Sequence, residues 1–251
     1  MTSLPRENPA GDLALVMGGG GARAAYQVGV VDALVRRQPG LRVDILTGVS
    51  AGAINAAHLA GHPGTLSESV TALRELWLRL RTEDVFRTDW PSLLSHVLRS
   101  SAQLVTGGRG VPGGARGMVD TEPLRRFLSR ALRAEGKRGA LGDIRRNLSR
   151  GSPRAVAVTT SSYSSGRSVT WVEGHGIEPW QRAHRVGRVA PLTVEHVMAS
   201  ASLPLFFPAV ELDGDWHGDG GILLSAPLSP AVHLGARRIL AISTRHRSHG
   251  E

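Results

Sequence analysis

Short apolar runs alternate with stretches of helical spacing along the first sixty residues. The runs LALVM at Leu13–Met17 and VDILTGV at 43–49 have the length and composition of buried β-strands. A helical pattern follows the second run at Ala51–Leu59. After the first run, the apolar positions of a helical pattern are Tyr26, Val30 and Leu34. Strands and helices that alternate with short turns predict a parallel sheet with right-handed crossovers.

Two further stretches have the pattern of amphipathic helices. Ser67–Leu80 carries one apolar stripe, formed by Val70, Leu73, Trp77 and Leu80. Farther along, Asp120 or Thr121 is suited to cap a helix that has Pro123 in its first turn. We expect the inward-facing residues of that helix to be Leu124, Phe127, Leu128 and Leu132.

The second half of the chain has strand patterns. RAVAVTTSSYSSGRSVTWVE predicts two strands joined by a turn at Ser164–Gly166, and RRILAIST near the end predicts another buried strand. The glycine-dense segment Thr106–Gly117 is too rich in glycine for regular structure; a flexible connection is favoured over a lid. Because no internal repeat or linker interrupts these patterns, we expect one α/β domain over residues 1–251, with its core at about 13–244.

Composition narrows the classes of protein to consider. The 251 residues are 41% hydrophobic and 20% charged, and they contain no run of about 18 uncharged apolar residues that would span a membrane. The start, MTSLPRENPAGD, lacks a basic-then-apolar signal pattern. With no cysteine, the chain has neither disulfides nor thiol catalysis. We therefore expect a cytoplasmic protein with at most peripheral contact at the membrane.

The net charge of +9 would attract phosphate groups of nucleic acid or lipid. The basic residues are almost all arginines, with Lys137 the one lysine, and they are scattered along the chain. Base stacking would have only five Trp, four Phe and two Tyr to use. No nucleic-acid-binding module accompanies the charge, so we expect no nucleic-acid partner.

The segment TGVSAGAINA contains a candidate nucleophile. Ser50 lies in G-x-S-x-G between a predicted strand and a predicted helix, where Gly48 and Gly52 allow a sharp turn. Such a turn exposes the hydroxyl at the carboxyl end of the sheet and at the amino end of a helix. The free N–H groups there favour a developing anion.

The preceding strand ends in a second glycine turn, GGGGAR at Gly18–Arg23. Backbone N–H groups in such a turn can hold the oxyanion of an acyl-transfer reaction, and a parallel sheet would bring the turn beside Ser50. A dinucleotide site is the alternative, because Gly19, Gly21 and Ala24 satisfy G-x-G-x-x-A. Asp44 lies about twenty residues on, but at the start of its strand, whereas the acid that binds the ribose belongs at the end.

A serine nucleophile needs a base, and DWHGDGG supplies Asp219 in an expected loop before Gly220 and Gly221. The alternative is a Ser-Asp-His triad in the chain order of α/β-hydrolases. Its acid would be one of Asp213, Asp215 and Asp219, and its base one of His233, His246 and His249.

Three other polar residues or pairs have two interpretations each. Arg23 would either bond neighbouring carbonyls, which its fork suits, or steer an anionic head group. His58 and His62 have the spacing of helical zinc ligands, but no third ligand accompanies them and Gly61 is expected to end the helix, so we expect no metal site. His217 is expected in a loop, where it would tune Asp219.

Taken together, these segments resemble the patatin-like phospholipase family in its bacterial form. LALVMGGGGARAAYQVGVVDAL, LTGVSAGAINAA and DGG occur in the family's order. The linking segments GMVDTEPLRRFL, VMASASLPLFFPAV and APLSPAVHLGARRILAIS are also similar, so the likeness runs from about Leu13 to Thr244. The resemblance implies a three-layer α/β/α fold with a mainly parallel central sheet.

The resemblance also implies roles for individual residues. Ser50 matches the family's nucleophile and Asp219 its general base, without a catalytic histidine. The oxyanion loop corresponds to Gly19, Gly20, Gly21, Ala22 and Arg23. The chain departs from the family pattern at Ala24, where glycine is usual, and at Ser225, where asparagine is common after DGG.

The activity implied is hydrolysis of fatty-acyl esters, of phospholipids or lysophospholipids, through an acyl-serine and without metal or organic cofactor. The expected partners are the lipid substrate and, transiently, a membrane surface. Two alternatives stay open: an acyltransferase or transacylase on the same framework, and a non-catalytic lipid-binding protein. The sequence does not indicate an oligomeric state.

Overall fold

The computed structural model describes residues 13–86, 119–224 and 226–244. The strands are β1 (Leu13–Met17), β2 (Ile45–Val49), β3 (Ala155–Ser162), β4 (Ser168–Gly174), β5 (Trp180–Arg182), β6 (Arg185–Val189), β7 (Val210–Leu212), β8 (Asp215–Asp219) and β9 (Arg238–Ile242). The helices are α1 (Ala25–Arg37), α2 (Ala51–Gly61), α3 (Leu66–Arg79), α4 (Thr82–Val85), α5 (Glu122–Ala131), α6 (Gly142–Ser149), α7 (Val194–Ala201) and α8 (Leu228–His233). Short 3-10 turns cover Gly21–Ala24 and Gly220–Ile222.

The sheet is mixed, with the strand order β5-β6-β4-β3-β2-β1-β9, and its centre is parallel. β9, β1, β2 and β3 pair in parallel, while β4 runs antiparallel to β3. β7 and β8 form a hairpin, and β8 pairs with the end of β3. The carboxyl ends of β1 and β2 therefore open at one edge of the sheet, as predicted for alternating strands and helices.

Helices cover both faces of the sheet. On one face, α1, α2, α3, α5, α6 and α7 pack on a large apolar cluster that includes Leu15, Leu46, Val156 and Trp171. On the other face, α8 and the chain after it bury Ala231 and Leu234 against Val16 and Ile45. The arrangement is the predicted three-layer α/β/α fold, in which the helical layer formed by α8 is the thinner of the two.

Two predicted helices are confirmed, and so is the predicted cap of the second. Thr65 and Glu68 form a reciprocal capping box at the start of α3, where Thr65 Oγ1 accepts a hydrogen bond from the Glu68 N–H. At the start of α5, Asp120 Oδ1 accepts from the Glu122 N–H at 2.9 Å, and Pro123 lies in the first turn.

One predicted burial pattern is wrong, and one helical pattern left the buried row undecided. In α1 the face toward the core carries Val28, Val31 and Val35, whereas Tyr26 is 64% exposed. Both rows have helical spacing, so periodicity alone could not choose between them. The strand predicted from RRILAIST is β9, which pairs with β1 on one side and with no described strand on the other, so it is mostly exposed.

The hairpin of β3 and β4 is confirmed, with its turn at the predicted position. The glycine-dense segment Thr106–Gly117 lies outside the described residues. No helix in the described part of the chain is long and apolar enough to cross a membrane.

Candidate active site

Ser50 lies at the sharp turn between β2 and α2. Its backbone is in an unfavourable region, with φ 55° and ψ −132°, which a non-glycine residue adopts only when its surroundings hold it there. A Cβ on Gly48 would overlap the Gly52 carbonyl, and one on Gly52 would overlap the carbonyls of Met17 and Gly18. Both glycines are therefore required for α2 to approach β1 and β2 closely.

The hydroxyl of Ser50 donates a hydrogen bond to Asp219, with 2.7 Å between Oγ and Oδ2. Both side chains are buried, Ser50 at 7% and Asp219 at 3% exposure. The pair is assembled by β3, because Thr159 pairs with Val49 while Thr160, the next residue, pairs with Asp219. β3 thus has β2 beside it up to Thr159, and β8 lies beside it from Thr160 onward, where the chain of β2 has turned away at Ser50.

Further hydrogen bonds fix the Asp219 carboxyl group and backbone. Oδ1 accepts from the Gly221 N–H at 2.6 Å, the Asp219 N–H donates to the Ser202 carbonyl, and Ser161 Oγ donates to the Asp219 carbonyl. Burial raises the pKa of Asp219 above its ordinary value of 3.8, and the bonds from Ser50 and Gly221 oppose that rise. The carboxyl group is accordingly a stronger base than an exposed aspartate.

The glycines after Asp219 have separate reasons to be there. A Cβ on Gly220 would overlap the Thr159 carbonyl, so no larger residue fits between β8 and β3. A Cβ on Gly221 would lie 2.9 Å from Asp219 Oδ1 and would crowd the hydrogen bond to the carboxylate. The sequence prediction placed Asp219 in a loop, and this is wrong: Asp219 is the last residue of β8.

Ser200 of α7 holds the nucleophile's backbone, and the sequence analysis did not find it. Its fully buried Oγ accepts from the Ser50 N–H at 2.9 Å and donates to the Thr159 carbonyl at 2.6 Å. The only sequence signal was its place in VMASASLPLFFPAV, a segment of the resemblance to which no role was given. The end of α7 therefore contacts both Ser50 and Asp219.

The glycine turn after β1 lies against Ser50, as predicted. A Cβ on Gly19 would lie 3.2 Å from the Ser50 Cβ. Gly21 has φ 55°, and its N–H opens a 3-10 turn, where the first N–H groups have no acceptor within the turn. Gly21 and Ala22 line the same cavity as Ser50.

This cavity has a volume of about 490 Å³ and runs from Ser50 between α2, α3, α4 and α5. Its walls are apolar, and the larger side chains among them are Ile54, Trp77, Phe86, Phe127, Leu203 and Phe207. The volume falls in the range of small-molecule sites. The Ser50–Asp219 pair and the glycine turn therefore lie at one end of an apolar cavity.

Comparisons with known proteins identify the family of the chain. The family model described as patatin-like phospholipase matches residues 15–232, most of the chain. The chain belongs to the patatin-like phospholipase family. A search of curated proteins by sequence finds no match.

Solved structures share the patatin-like fold. VipD from Legionella pneumophila is 15% identical with a TM-score of 0.53, over 93% of this chain and 49% of its own. Human GIVD cytosolic phospholipase A2, solved with a methyl gamma-linolenyl fluorophosphonate inhibitor and terbium chloride, is 18% identical with a TM-score of 0.52, over 98% of this chain and 42% of its own. The chain thus spans less than half the length of these patatin-like structures.

The histidine-triad alternative finds no support in the described part of this patatin-like chain. Ser50 Oγ bonds to Asp219, whereas Asp215 bonds to Ser162 and Asp213 lies on an exposed turn. His233 is on α8 and stacks on a tryptophan ring. His246 and His249, like the family departure Ser225, lie outside the described residues.

Among the described contacts, none of the other candidate residues hydrogen-bonds to Ser50 or Asp219. Asp44 accepts a hydrogen bond from the Leu13 N–H at the amino edge of the sheet, too far along β2 to bind a ribose held by the glycine turn. The rings of His58 and His62 are 6.2 Å apart, and no described side chain joins them as a third metal ligand. Arg23 is exposed and makes no side-chain hydrogen bond or ion pair with a described residue.

The prediction of His217 as a loop residue is wrong. It lies within β8 and is fully buried, with its Nδ1 3.0 Å from Thr160 Oγ1 and its Nε2 3.6 Å from Asp215. Burial lowers its pKa, which favours the neutral ring. No hydrogen bond joins it to Asp219 among the described contacts, so it has no direct route to tune the carboxylate.

Proposed function

We propose that the chain is a serine hydrolase of fatty-acyl esters, with phospholipids or lysophospholipids as its substrate class. The observation that carries the proposal is the Ser50–Asp219 hydrogen bond of 2.7 Å at the end of an apolar cavity. Membership of the patatin-like phospholipase family supports the lipid class of substrate.

In the proposed reaction, the Asp219 carboxylate takes the proton of the Ser50 hydroxyl while Oγ attacks the ester carbonyl carbon. The carbonyl double bond opens to an oxyanion, which then collapses, and the alcohol leaves with the proton from Asp219. Water, deprotonated by the same carboxylate, next attacks the acyl-serine. The tetrahedral intermediate collapses, Asp219 returns the proton to Ser50 Oγ, and the fatty acid is released. Both acylation and deacylation begin with Asp219 ionised. Burial raises the pKa of Asp219 and so favours its taking up the proton from Ser50 or water.

The oxyanion is assigned to the N–H groups of Gly20, Gly21 and Ala22, with Gly19 giving the loop its close approach to Ser50. Donors fixed before the reaction stabilise the developing charge more than water can, because they need no reorganisation. Arg23, next to them and exposed, is assigned to the approach of an anionic head group rather than to the oxyanion itself.

The cavity is assigned to the acyl chain, since its walls offer apolar surface and few polar partners. Its mouth continues into exposed apolar residues: Leu203 lines it, and the neighbouring Leu205 and Phe206 are 80% and 55% exposed. At the same edge of the sheet, the exposed Arg182 and Arg185 flank the hairpin of β5 and β6. Such a surface suits transient contact with an anionic membrane.

The proposal is tested by fluorophosphonate labelling with mass-spectrometric mapping, beside hydrolysis of p-nitrophenyl acyl esters. We expect label on Ser50, and a loss of kcat of at least about 10³-fold in Ser50→Ala and Asp219→Asn. The matched controls are Ser149→Ala, at the end of α6, and Asp213→Asn, on its exposed turn; both should keep full activity.

Four outcomes would contradict the proposal in different ways. Near-full activity in Asp219→Asn would exclude Asp219 as the base of Ser50. A loss of activity in His233→Ala would favour the Ser-Asp-His triad. No label and no turnover in folded wild type would favour a lipid-binding protein. Ester products that form only with an added alcohol or lysolipid would indicate a transacylase.

A further inference from the structure

Two buried amide side chains hold the ends of the oxyanion loop, here the segment Gly18–Ala24. Gln27 Nε2 donates to the Gly18 carbonyl at 2.7 Å, and Asn55 Nδ2 donates to the Ala24 carbonyl at 3.2 Å. Both side chains are completely buried. The loop that is assigned to the oxyanion is thus clamped at its two ends by side chains from α1 and α2.

The two amides are also joined to each other and to the cavity wall. Asn55 Nδ2 donates to Gln27 Oε1 at 3.0 Å, and Trp77 Nε1 donates to Asn55 Oδ1 at 2.8 Å. Trp77, on α3, lines the apolar cavity beside Ser50. One chain of hydrogen bonds therefore connects the wall of the cavity with the oxyanion loop.

The donors and acceptors at its two ends fix the direction of this series of hydrogen bonds. The carbonyls of Gly18 and Ala24 can only accept, so both amide NH₂ groups must point toward the loop. Their oxygens then have to accept, and the indole N–H of Trp77, which can only donate, completes the set. Turning either amide over would leave buried donors and acceptors unpaired, so each amide has one orientation. Losing the Trp77 donor leaves Asn55 Oδ1 unpaired and therefore weakens the hydrogen bonds that hold the loop.

We propose that Trp77, Asn55 and Gln27 are positioning residues through which filling of the cavity orders the oxyanion loop. The inference rests on the proposed acyl-ester hydrolysis. A chain long enough to pack on the indole fixes Trp77, which holds Asn55 and Gln27 and so the N–H groups between Gly18 and Ala24. Since the acyl chain stays in the cavity in the acyl-serine, the effect acts on both halves of the reaction.

The consequence is a dependence of kcat on acyl-chain length, separate from any dependence of KM. In wild type, kcat should rise from p-nitrophenyl acetate to the octanoate. In Trp77→Phe, which keeps an aromatic wall but removes the donor, kcat for the octanoate should fall about tenfold and lose its rise with chain length. KM should still decrease with chain length, because the cavity stays apolar.

Two comparison variants separate this role from that of a plain wall. Phe127→Leu changes the cavity without touching the hydrogen bonds, so it should raise KM for the octanoate and keep the rise in kcat. Trp180→Phe makes the same chemical change on β5, away from the site, and should leave both constants unchanged. A KM effect alone in Trp77→Phe would overturn the inference while the proposed hydrolysis stood.

A second measurement follows the loop itself, without activity. Amide hydrogen exchange in a peptide spanning Gly18–Ala25 should be faster in Trp77→Phe and in Gln27→Met than in wild type, with unchanged exchange in α6. Equal exchange in all three folded proteins would overturn the inference. A wild type that neither takes the fluorophosphonate label nor hydrolyses any ester would overturn the proposed function, and the inference with it.

Discussion

Single residues at the site are held in states that their local sequence does not favour. Ser50 has a positive φ without being glycine, and Asp219 is a buried carboxylate whose pKa burial raises. Each is fixed by contacts with distant residues: Ser200 accepts from the Ser50 N–H, and Gly221 donates to the carboxylate. Backbone strain and a buried charge lower stability, and both are features of functional sites.

Asp219→Asn is expected to make the protein more stable at neutral pH while it abolishes activity. A carboxyl whose folded pKa lies above its unfolded value binds its proton more tightly in the folded state. Its ionisation therefore costs stability as the pH rises through the folded pKa, and asparagine removes that cost. We expect the Tm of Asp219→Asn to lie above that of wild type at pH 7.5.

The pH dependence supplies the control for this prediction. The gain in Tm should shrink as the pH is lowered through the raised pKa, since wild-type Asp219 then becomes neutral too. Asp213→Asn, on an exposed turn, should show no such gain. Thermal unfolding followed by circular dichroism at several pH values measures both, and a gain independent of pH would contradict the assigned cause.

At the scale of elements, β3 sets the relative position of three others. It pairs with β2 up to Thr159 and with β8 from Thr160, and Ser200 of α7 is tied to the Thr159 carbonyl. The helix α2 then starts at the nucleophile and packs closely on β2, which the small side chains Ala53, Ala56 and Ala57 allow. The contact between Ser50 and Asp219 is thus a product of strand register and of close helix–sheet packing.

Two glycine-to-alanine changes in helices should have opposite effects. Gly52→Ala places a methyl group against the carbonyls of Met17 and Gly18, so we expect a loss of about 2–4 kcal/mol in the free energy of unfolding. Gly29→Ala, on α1, meets no atom within 4 Å and should add about 0.5–1 kcal/mol through helix propensity. Urea unfolding compares them, and equal effects would refute the packing argument.

At the scale of the whole molecule, one edge of the sheet gathers the dyad, the mouth of the cavity and exposed apolar side chains. Leu205 and Phe206 are exposed beside the cavity, and Arg182 and Arg185 lie at the same edge. The charge of +9 over the full chain adds attraction to an anionic surface. Access to a lipid and contact with its membrane are therefore expected to use one surface.

The double change Leu205→Ser with Phe206→Ser should weaken binding to vesicles of phosphatidylcholine and phosphatidylglycerol about tenfold, because less apolar surface inserts. Val232→Ser, an exposed position on the opposite face of the sheet, is the matched control and should bind as wild type does. Co-sedimentation measures both. Equal binding by all three proteins, or none by wild type, would contradict the assigned surface.

Local patterns in the sequence predict many of the secondary-structure elements and the glycine motifs. Strand runs, the helix start before Pro123 and the glycines around Ser50 act through near neighbours, so their effects can be predicted locally. The α/β fold class and the turn at Ser50 were predicted in this way, whereas the choice of Asp219 over the other acids came from the resemblance to the family. Periodicity could not choose the buried row of α1, nor place β9 at an edge, because both depend on what packs against them.

Only the tertiary structure decided which distant groups meet. Ser50 and Asp219 are 169 positions apart, and the register of β3 brings them into contact. Ser200, the link from Trp77 to the oxyanion loop and the burial that raises the pKa of Asp219 likewise depend on packing between elements. A hydrogen bond requires atoms within about 3 Å, and a residue's type and its chain neighbours do not specify that distance for remote residues.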